Sequence, residues 1–285
     1  MLFQLTLFNG EHMLRQKDEK PFCRRGQMKQ EMMEIVQQKQ LAPKIFEMTL
    51  KGDLVKEMQQ PGQFLHILVP RADLLLRRPI SLNHIDHETN TCRIIYRVEG
   101  EGTRVFSTLS AGDHLDVMGP LGNGFDLSNL HTGDEVFIIG GGIGVPPLYE
   151  LSKQLVEKGI KPTHFLGFAT HEVVYYEKEF NRLGETRIAT DDGTYGMHGN
   201  VGNLLLGTKT EPTAVFACGS NGLLKTVEQL FSSHQNVQLS LESRMACGIG
   251  ACYACVCHTP EDETGTKSVK VCDEGPIFKI GEVII

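Results

Sequence analysis

Between about residue 30 and residue 128, short apolar runs alternate with turn residues: EIVQQKQLA, IFEMTLKG, QFLHILVP, TCRIIYRVEG and HLDVMGPLG. Runs this short, broken by Gly, Pro and Asp, predict an antiparallel barrel or sandwich. The pattern changes at Gly133. EVFIIGGGIGVPPLYELSKQLVEKG reads as a buried strand, a glycine-rich turn and a helix that carries Leu148, Leu151 and Leu155 on one face. THFLGFA, TRIATDD and TAVFACGS continue as strands, with helices around YYEKEFNRLG and NGLLKTVEQLFSS. Strands that alternate with helices imply a parallel sheet. After VQLSLESRMACG the alternation stops and a small cysteine-bearing module remains. The expected fold is therefore α/β plus all-β: an antiparallel barrel over 28–130, a parallel α/β domain over 131–236 and a module over 237–285. Residues 1–27 have no periodicity and are expected to be a loosely held extension, with Met28 an alternative start.

A chain of 285 residues can bury the cores of two or three such domains. Its 28 Lys plus Arg against 35 Asp plus Glu give a net charge of −7, which argues against a nucleic-acid partner. No apolar run approaches the roughly 18 residues of a membrane span, and a secretion signal is lacking at the amino terminus, so a cytoplasmic protein is expected. In a reducing compartment, eight cysteines favour metal or redox chemistry over disulfides.

Cys247, Cys252, Cys255 and Cys272 form C-x4-C-x2-C-x16-C. The first three have the plant-type spacing for a [2Fe-2S] cluster, each of whose irons takes two thiolates. Gly248, Gly250, Ala251 and Ala254 lack bulk, so the backbone can curl around sulfides and aim N–H groups at them. The alternative is zinc, held by four thiolates or by three with His258. Three close ligands and a distant fourth favour iron. Cys257 is expected to be a bystander, and Cys23 and Cys92 plain residues.

Gly140, Gly141, Gly142, Ile143 and Gly144 follow a strand and precede a helix, where backbone N–H groups can meet a pyrophosphate. Such a turn can equally be steric. Cys218 ends a later strand at the same carboxyl edge, to face a nicotinamide or to sit as a small buried residue. Arg78 and Ser81 in RRPISL offer a phosphate fork and a hydroxyl, or mark a plain strand entry at a proline turn. EGEGT, from Glu99 to Thr103, reads as a hairpin turn whose glycines would also admit phosphate oxygens.

Together RPIS, IYRVEGEGT, GGGIGVPP, CGS and CGIGACYAC resemble the ferredoxin-reductase superfamily with a carboxyl-terminal cluster. More narrowly, the chain resembles the electron-transfer subunits of NAD-dependent (class 1B) bacterial dihydroorotate dehydrogenase, from about Met28 to its end. TDDGTYG and CDEGPIF strengthen the match. The resemblance implies a barrel that binds FAD, with Arg78, Pro79, Ile80 and Ser81 along the flavin and its phosphates, and Ile95, Tyr96, Arg97, Gly102 and Thr103 completing the site. It also implies NAD at Gly140 to Gly144 and a [2Fe-2S] module on the four cysteines. Electrons would leave the FMN of a separate catalytic subunit, cross the cluster, reach FAD and reduce NAD+, in pyrimidine (UMP) biosynthesis and in a heterotetramer with two copies of each chain.

Oxidation of dihydroorotate would then belong to the partner. In this chain Ser81 and Cys218 are the candidate catalytic residues, and the cluster module is expected at the subunit interface. Two departures stand out. Ile80 occupies a position where the superfamily often has Tyr or Phe, which leaves Tyr96 as a candidate for ring stacking, and the chain ends GEVII without a terminal aromatic. NAD rather than NADP fits GFATHEVVYYE, which carries Glu172 and no Arg or Lys before Lys178. Competing readings are the small subunit of a ferredoxin-NAD(P) reductase or transhydrogenase, or of a sulfide dehydrogenase. A non-catalytic redox or zinc sensor is a third, and it predicts no flavin.

Overall fold

The computed structural model describes residues 28–208, 210–262 and 267–285. The extension expected over 1–27, with Cys23, lies outside the described residues.

Six strands close an antiparallel barrel: β1 (Lys29–Ala42), β2 (Ile45–Lys51), β3 (Phe64–Ile67), β4 (Arg78–Asp86), β5 (Thr91–Arg97) and β6 (His114–Leu121), in the order β1-β2-β5-β4-β3-β6. Period-two alternation decides what faces inward. Met33 and Ile35 of β1, Met48 and Leu50 of β2, Ile94 and Tyr96 of β5, and Leu115 and Val117 of β6 share one buried core. Closing the ring leaves no free strand edge. EGEGT is not a hairpin turn: Glu101–Phe106 forms the short helix α1. The Thr103 hydroxyl accepts the N–H groups of Glu99 and Gly100 at 3.1 and 3.3 Å, satisfying donors that a helix start would otherwise leave free.

A seven-stranded sheet follows. Its elements are β7 (Glu135–Gly141), α2 (Pro147–Glu157), β8 (Lys161–Phe168), α3 (Glu177–Asn181), β9 (Glu185–Thr190), β10 (Met197–His198), α4 (Val201–Leu206), β11 (Ala214–Cys218), α5 (Asn221–Leu230) and β12 (Val237–Ser240). After β7 the chain lays β8, β9 and β10 on one side and β11 and β12 on the other. The order therefore reverses between β7 and β11, where Gly140 pairs with Cys218. Open sheets of this kind leave a crevice at that place.

Beyond β12 come a two-stranded ribbon, β13 (Val256–His258) with β14 (Ser268–Lys270), and a last strand, β15 (Ile277–Lys279). Strand β15 runs antiparallel to β12, Leu239 opposite Phe278. The division expected at 236–237 thus falls just before a strand that pairs with β11, and the cysteine segment is held between two strands of the nucleotide sheet.

Barrel and sheet share an apolar core. Ile45 and Ile95, outward-facing on their strands, pack with Leu148, Leu151 and Leu155 of α2. Polar groups on the same face are paired. Asn83 of β4 donates to the Pro146 carbonyl at 3.0 Å and accepts from the Tyr176 hydroxyl at 3.0 Å. Glu47, 3% exposed, contacts Tyr176, Lys39 at 2.9 Å and Arg93 at 3.8 Å. Glu150 of α2 accepts the Ile85 N–H at 3.1 Å and lies 2.9 Å from His84 Nδ1. Burial disfavours the Glu150 charge, yet His84, Gln154 and that N–H outweigh it and hold the carboxyl below its usual range.

Removing Asn83 would leave the buried Pro146 carbonyl with only the Tyr149 N–H at 3.2 Å and would take one acceptor from the Tyr176 hydroxyl. Asn83→Ala should destabilise the protein by about 1–3 kcal/mol, read as a lower midpoint in urea unfolding. An unchanged midpoint would mean the contact carries no stability.

Candidate functional site

Two clefts open where barrel and sheet meet. The smaller, about 350 Å3, is lined by Arg78, Pro79, Ile80, Ser81, Ile95, Tyr96, Arg97 and Thr103, with Phe64, Gly100, Cys218, Ser240, Glu242 and Pro276 among the other residues around it. Eight of the nine residues expected for a flavin therefore share one wall. The ninth, Gly102, acts from beneath: a methyl group there would come within 2.4 Å of Arg78 Nε, so the bare α-carbon makes room for the guanidinium. Arg78 is further aimed by a 2.6 Å bond from Nη1 to the Leu76 carbonyl. Tyr96 borders the cleft, but its ring does not supply stacking. Alternation along β5 turns it into the barrel, where it lies between Phe46 and Phe106 and donates to Gln38 Oε1 at 2.9 Å.

The larger cleft, about 720 Å3, is lined by Gly141, Gly142, Ile143 and Gly144 together with Phe168, Asp191, Asn200, Ser220, Leu223 and others. The glycines divide between the two readings the sequence allowed. Methyl groups at Gly140, Gly141 and Gly144 would meet Leu148 at 2.9 Å, Leu223 at 2.6 Å and the Cys218 carbonyl at 2.5 Å, so all three allow close packing; Gly141 and Gly144 line the cleft as well, whereas Gly140 is not among its lining residues. Gly142, at φ 52°, has nothing within 4 Å of such a methyl, and its carbonyl takes the Tyr175 hydroxyl at 2.8 Å. The clefts adjoin through Arg97, Ile143 and Glu242, which line both.

Cys218 lies on the smaller cleft at the end of β11. Burial pushes its thiol up to about 12, Glu242 adding and Ser240 opposing, so it stays neutral at ordinary pH. Glu242 was not singled out from sequence, although its place just past the carboxyl end of β12 was a signal. Burial raises the pKa of its carboxyl, Arg97 opposing and Glu99 adding.

The four cysteines gather in one loop and the strand that closes it. Cys247 Sγ receives the N–H groups of Ile249, Ala251 and Cys252 at 3.5, 3.3 and 3.4 Å. Gly250 N–H points at Cys272 Sγ at 3.1 Å, and Cys272 N–H at Cys255 Sγ at 3.4 Å. Burial works against the Cys247 thiolate, but Ile249 N–H, the Cys252 side chain and the remaining N–H groups bring its pKa down to about 7. Cys272 is pushed up to about 12, by burial first and then by Cys255. The thiols thus interact as two pairs, Cys247 with Cys252 and Cys255 with Cys272. Among the described residues no three His, Cys, Asp or Glu side chains converge as a single ion requires. This donor set fits a two-iron cluster, two thiolates to each metal, better than one zinc ion. Cys257 packs at the edge of the neighbouring apolar core, and Cys92 is 1% exposed inside the barrel.

His66 was also missed, though it is the one polar side chain in the run FLHILV. On β3 it faces out of the barrel and is 0% exposed. Burial first and the Arg77 charge next lower its pKa to about 4. Gly248, at φ 71°, abuts it: a methyl group there would come within 2.4 Å of His66 Nδ1.

Comparison with known proteins agrees with this arrangement. A family model, the iron-sulfur cluster binding domain of dihydroorotate dehydrogenase B, matches residues 242–284. The electron transfer subunit of dihydroorotate dehydrogenase B (NAD(+)) from Enterococcus faecalis is 66% identical over 262 residues, 91% of this chain and 100% of the relative. The subunit of that name from Streptococcus pneumoniae is 50% identical over 255 residues, 90% of this chain and 98% of the relative. Among solved structures, an NADH-dependent reduced ferredoxin-NADP oxidoreductase matches with a TM-score of 0.78 at 26% identity, over 89% of this chain and 90% of that one.

The contact at Gly248 gives a direct test. Gly248→Ala should weaken retention of iron and sulfide by about 10- to 100-fold under chelator challenge, as changes beside metal ligands do. Retention equal to the unsubstituted protein would show that the loop can move off His66.

Proposed function

The chain belongs to the family of dihydroorotate dehydrogenase B electron transfer subunits, and from that premise we propose how its clefts and thiols divide the work. The smaller cleft holds FAD, the larger holds NAD, and Cys247, Cys252, Cys255 and Cys272 hold a [2Fe-2S] cluster. The division into flavin barrel, nucleotide sheet and cluster module belongs to the same proposal. When bound, a flavin supplies the exchange between the two-electron chemistry of nicotinamide and the one-electron chemistry of an iron-sulfur cluster.

The protein's own residues prepare each place. Arg78, freed by Gly102, presents a fixed fork to phosphate oxygens, and the start of α1 adds backbone beside it. Ser81 offers a hydroxyl on the flavin wall. Gly142 bares backbone to the larger cleft, and Arg97, Ile143 and Glu242 form the boundary across which two bound ligands would meet. Cys218, neutral and buried beside that boundary, gives a compact wall. Five N–H groups directed at thiol sulfurs are suited to a cluster that carries negative charge.

One observation carries the reading. On the paired strands β3 and β4, Phe64 opposite Ser81 lines the smaller cleft, while His66 opposite Pro79 abuts the cysteine loop. Phe64 and His66 are two residues, about 7 Å of strand, apart. A flavin and a cluster held on one strand pair would suit an electron relay, which a sensor does not need. The 66% identity supports the dihydroorotate dehydrogenase subunit over the sulfide dehydrogenase and transhydrogenase readings.

The partner is an FMN-bearing catalytic subunit in a heterotetramer of two copies of each chain, assembled in the cytoplasm. Among the described residues, no helix is long and apolar enough to cross a membrane. Ile249 and Tyr253, 42% and 62% exposed, form with Cys252 the open side of the loop, the side a partner would cover.

Cys252→Ser should lower dihydroorotate-driven reduction of NAD+ by more than the roughly 100-fold that a change beside a ligand costs, while NADH-to-dye activity persists. Loss of both activities with FAD still bound would refute the assignment of carriers. Hydrogen exchange across residues 249–254 should slow on mixing with the catalytic subunit; equal exchange in the free and mixed chains would remove the proposed interface.

A further inference from the structure

His66 is the one buried side chain among the described residues whose ring nitrogens both lack a hydrogen-bond partner. A neutral imidazole always carries one N–H donor and one bare acceptor, so no choice of tautomer removes the deficit. Buried polar groups in native structures are nearly always paired, and an exception points to a partner not yet identified.

The surroundings narrow that partner. The strand holding His66 is fixed by other means: Arg77 Nη1 donates to the His66 carbonyl at 3.1 Å, and Arg77 Nη2 pairs with Asp116 at 3.0 Å. Alternation on β3 sends Leu65 and Ile67 into the barrel core and His66 to the outer face. There the Nδ1–Cε1 edge of the ring fills the space that a side chain at position 248 would need, with Nδ1 at 2.4 Å and Cε1 at 2.9 Å from such a methyl. Gly248 directly follows Cys247, whose sulfur takes three backbone N–H groups from its own loop. The Cys247 and Arg77 backbone lies close enough to the ring to favour its charged form, but neither carbonyl makes a hydrogen bond with it, and both ring nitrogens stay unpaired.

We propose that His66 is a positioning residue of the iron-sulfur site, its ring N–H donating from the barrel side to a sulfur at the Cys247 end and thereby raising the midpoint potential of the cluster. The proposal rests on the cluster reading above. A donor to sulfur stabilises the more negative, reduced state, so it adds to what the backbone N–H groups do. Because His66 belongs to the strand pair that lines the flavin cleft, the same bond fixes the loop against that cleft.

The test uses holoprotein purified anaerobically as it assembles in cells. Redox titration followed by electron paramagnetic resonance should give a lower midpoint for His66→Leu, by about a tenfold change in the one-electron equilibrium, or about 59 mV. His66→Gln, which keeps an N–H donor, should recover much of that shift. Iron, sulfide and flavin contents should match the unsubstituted protein. A full cluster with an unmoved midpoint in His66→Leu, or equal shifts in both variants, overturns the proposal.

Should His66→Leu fail to fold or load, the unsubstituted holoprotein still decides. With 15N-labelled histidine, pulsed resonance of the reduced cluster should detect a weakly coupled imidazole nitrogen that survives His258→Gln and disappears in His66→Gln. No such coupling, or one that follows His258, refutes the proposal while leaving the cluster in place. A chain with neither iron nor sulfide refutes the cluster reading, and this proposal with it.

Discussion

The arrangement depends on how strand β4 is held against the start of helix α2. Asn83 binds the Pro146 carbonyl at the end of the glycine turn, and Glu150 one turn later takes the β4 backbone and His84. Because β4 begins with Arg78 to Ser81, this clamp fixes the wall of one cleft relative to the turn that lines the other. Arg97, Ile143 and Glu242 come from strand β5, the glycine turn and the segment after β12, and they form the boundary shared by the two clefts. A buried carboxylate such as Glu47 is costly unless paired, and here Lys39, Arg93 and Tyr176 surround it. Charge and hydrogen bonding thereby give the docking a definite register, which apolar packing alone would leave looser.

A second constraint anchors the cysteine segment. Its ends are strands of the nucleotide sheet, and its interior rests on the outer face of the barrel, with Phe64, Met118, Cys255 and Cys272 in one apolar cluster. Asn123 ties the barrel exit to this segment through the Glu274 and Ile277 carbonyls at 3.0 and 2.9 Å. The segment is too small to bury a core of its own, so its order is borrowed from both neighbours.

Much of this was legible in the sequence where information is local. The period-two runs of the barrel and the strand–turn–helix around Gly140 to Pro147 depend on neighbouring residues and appear as read, and the closely spaced cysteines gather in one loop. EGEGT misled because two glycines among polar residues resemble a hairpin, whereas the Thr103 hydroxyl caps a helix start. Tyr96 was a stacking candidate until alternation along β5 turned it inward. Asn83, Glu242 and His66 escaped notice because their roles exist only across large sequence separations: Asn83 with Pro146, Glu242 with Arg97, His66 with Gly248. Gly140 shows the same limit, since a glycine that packs and a glycine that lines a cleft are spelled alike.

The thiols are unequally sheltered. Cys255 and Cys272 are 2% and 3% exposed, whereas Cys252 faces solvent and Cys247 is partly open to it. Thiolate character and access together govern attack by peroxide and other oxidants. In an empty loop the outer pair, Cys247 and Cys252, is therefore more accessible to oxidants than the inner pair. A partner that covered this rim would also keep oxidants from its thiols.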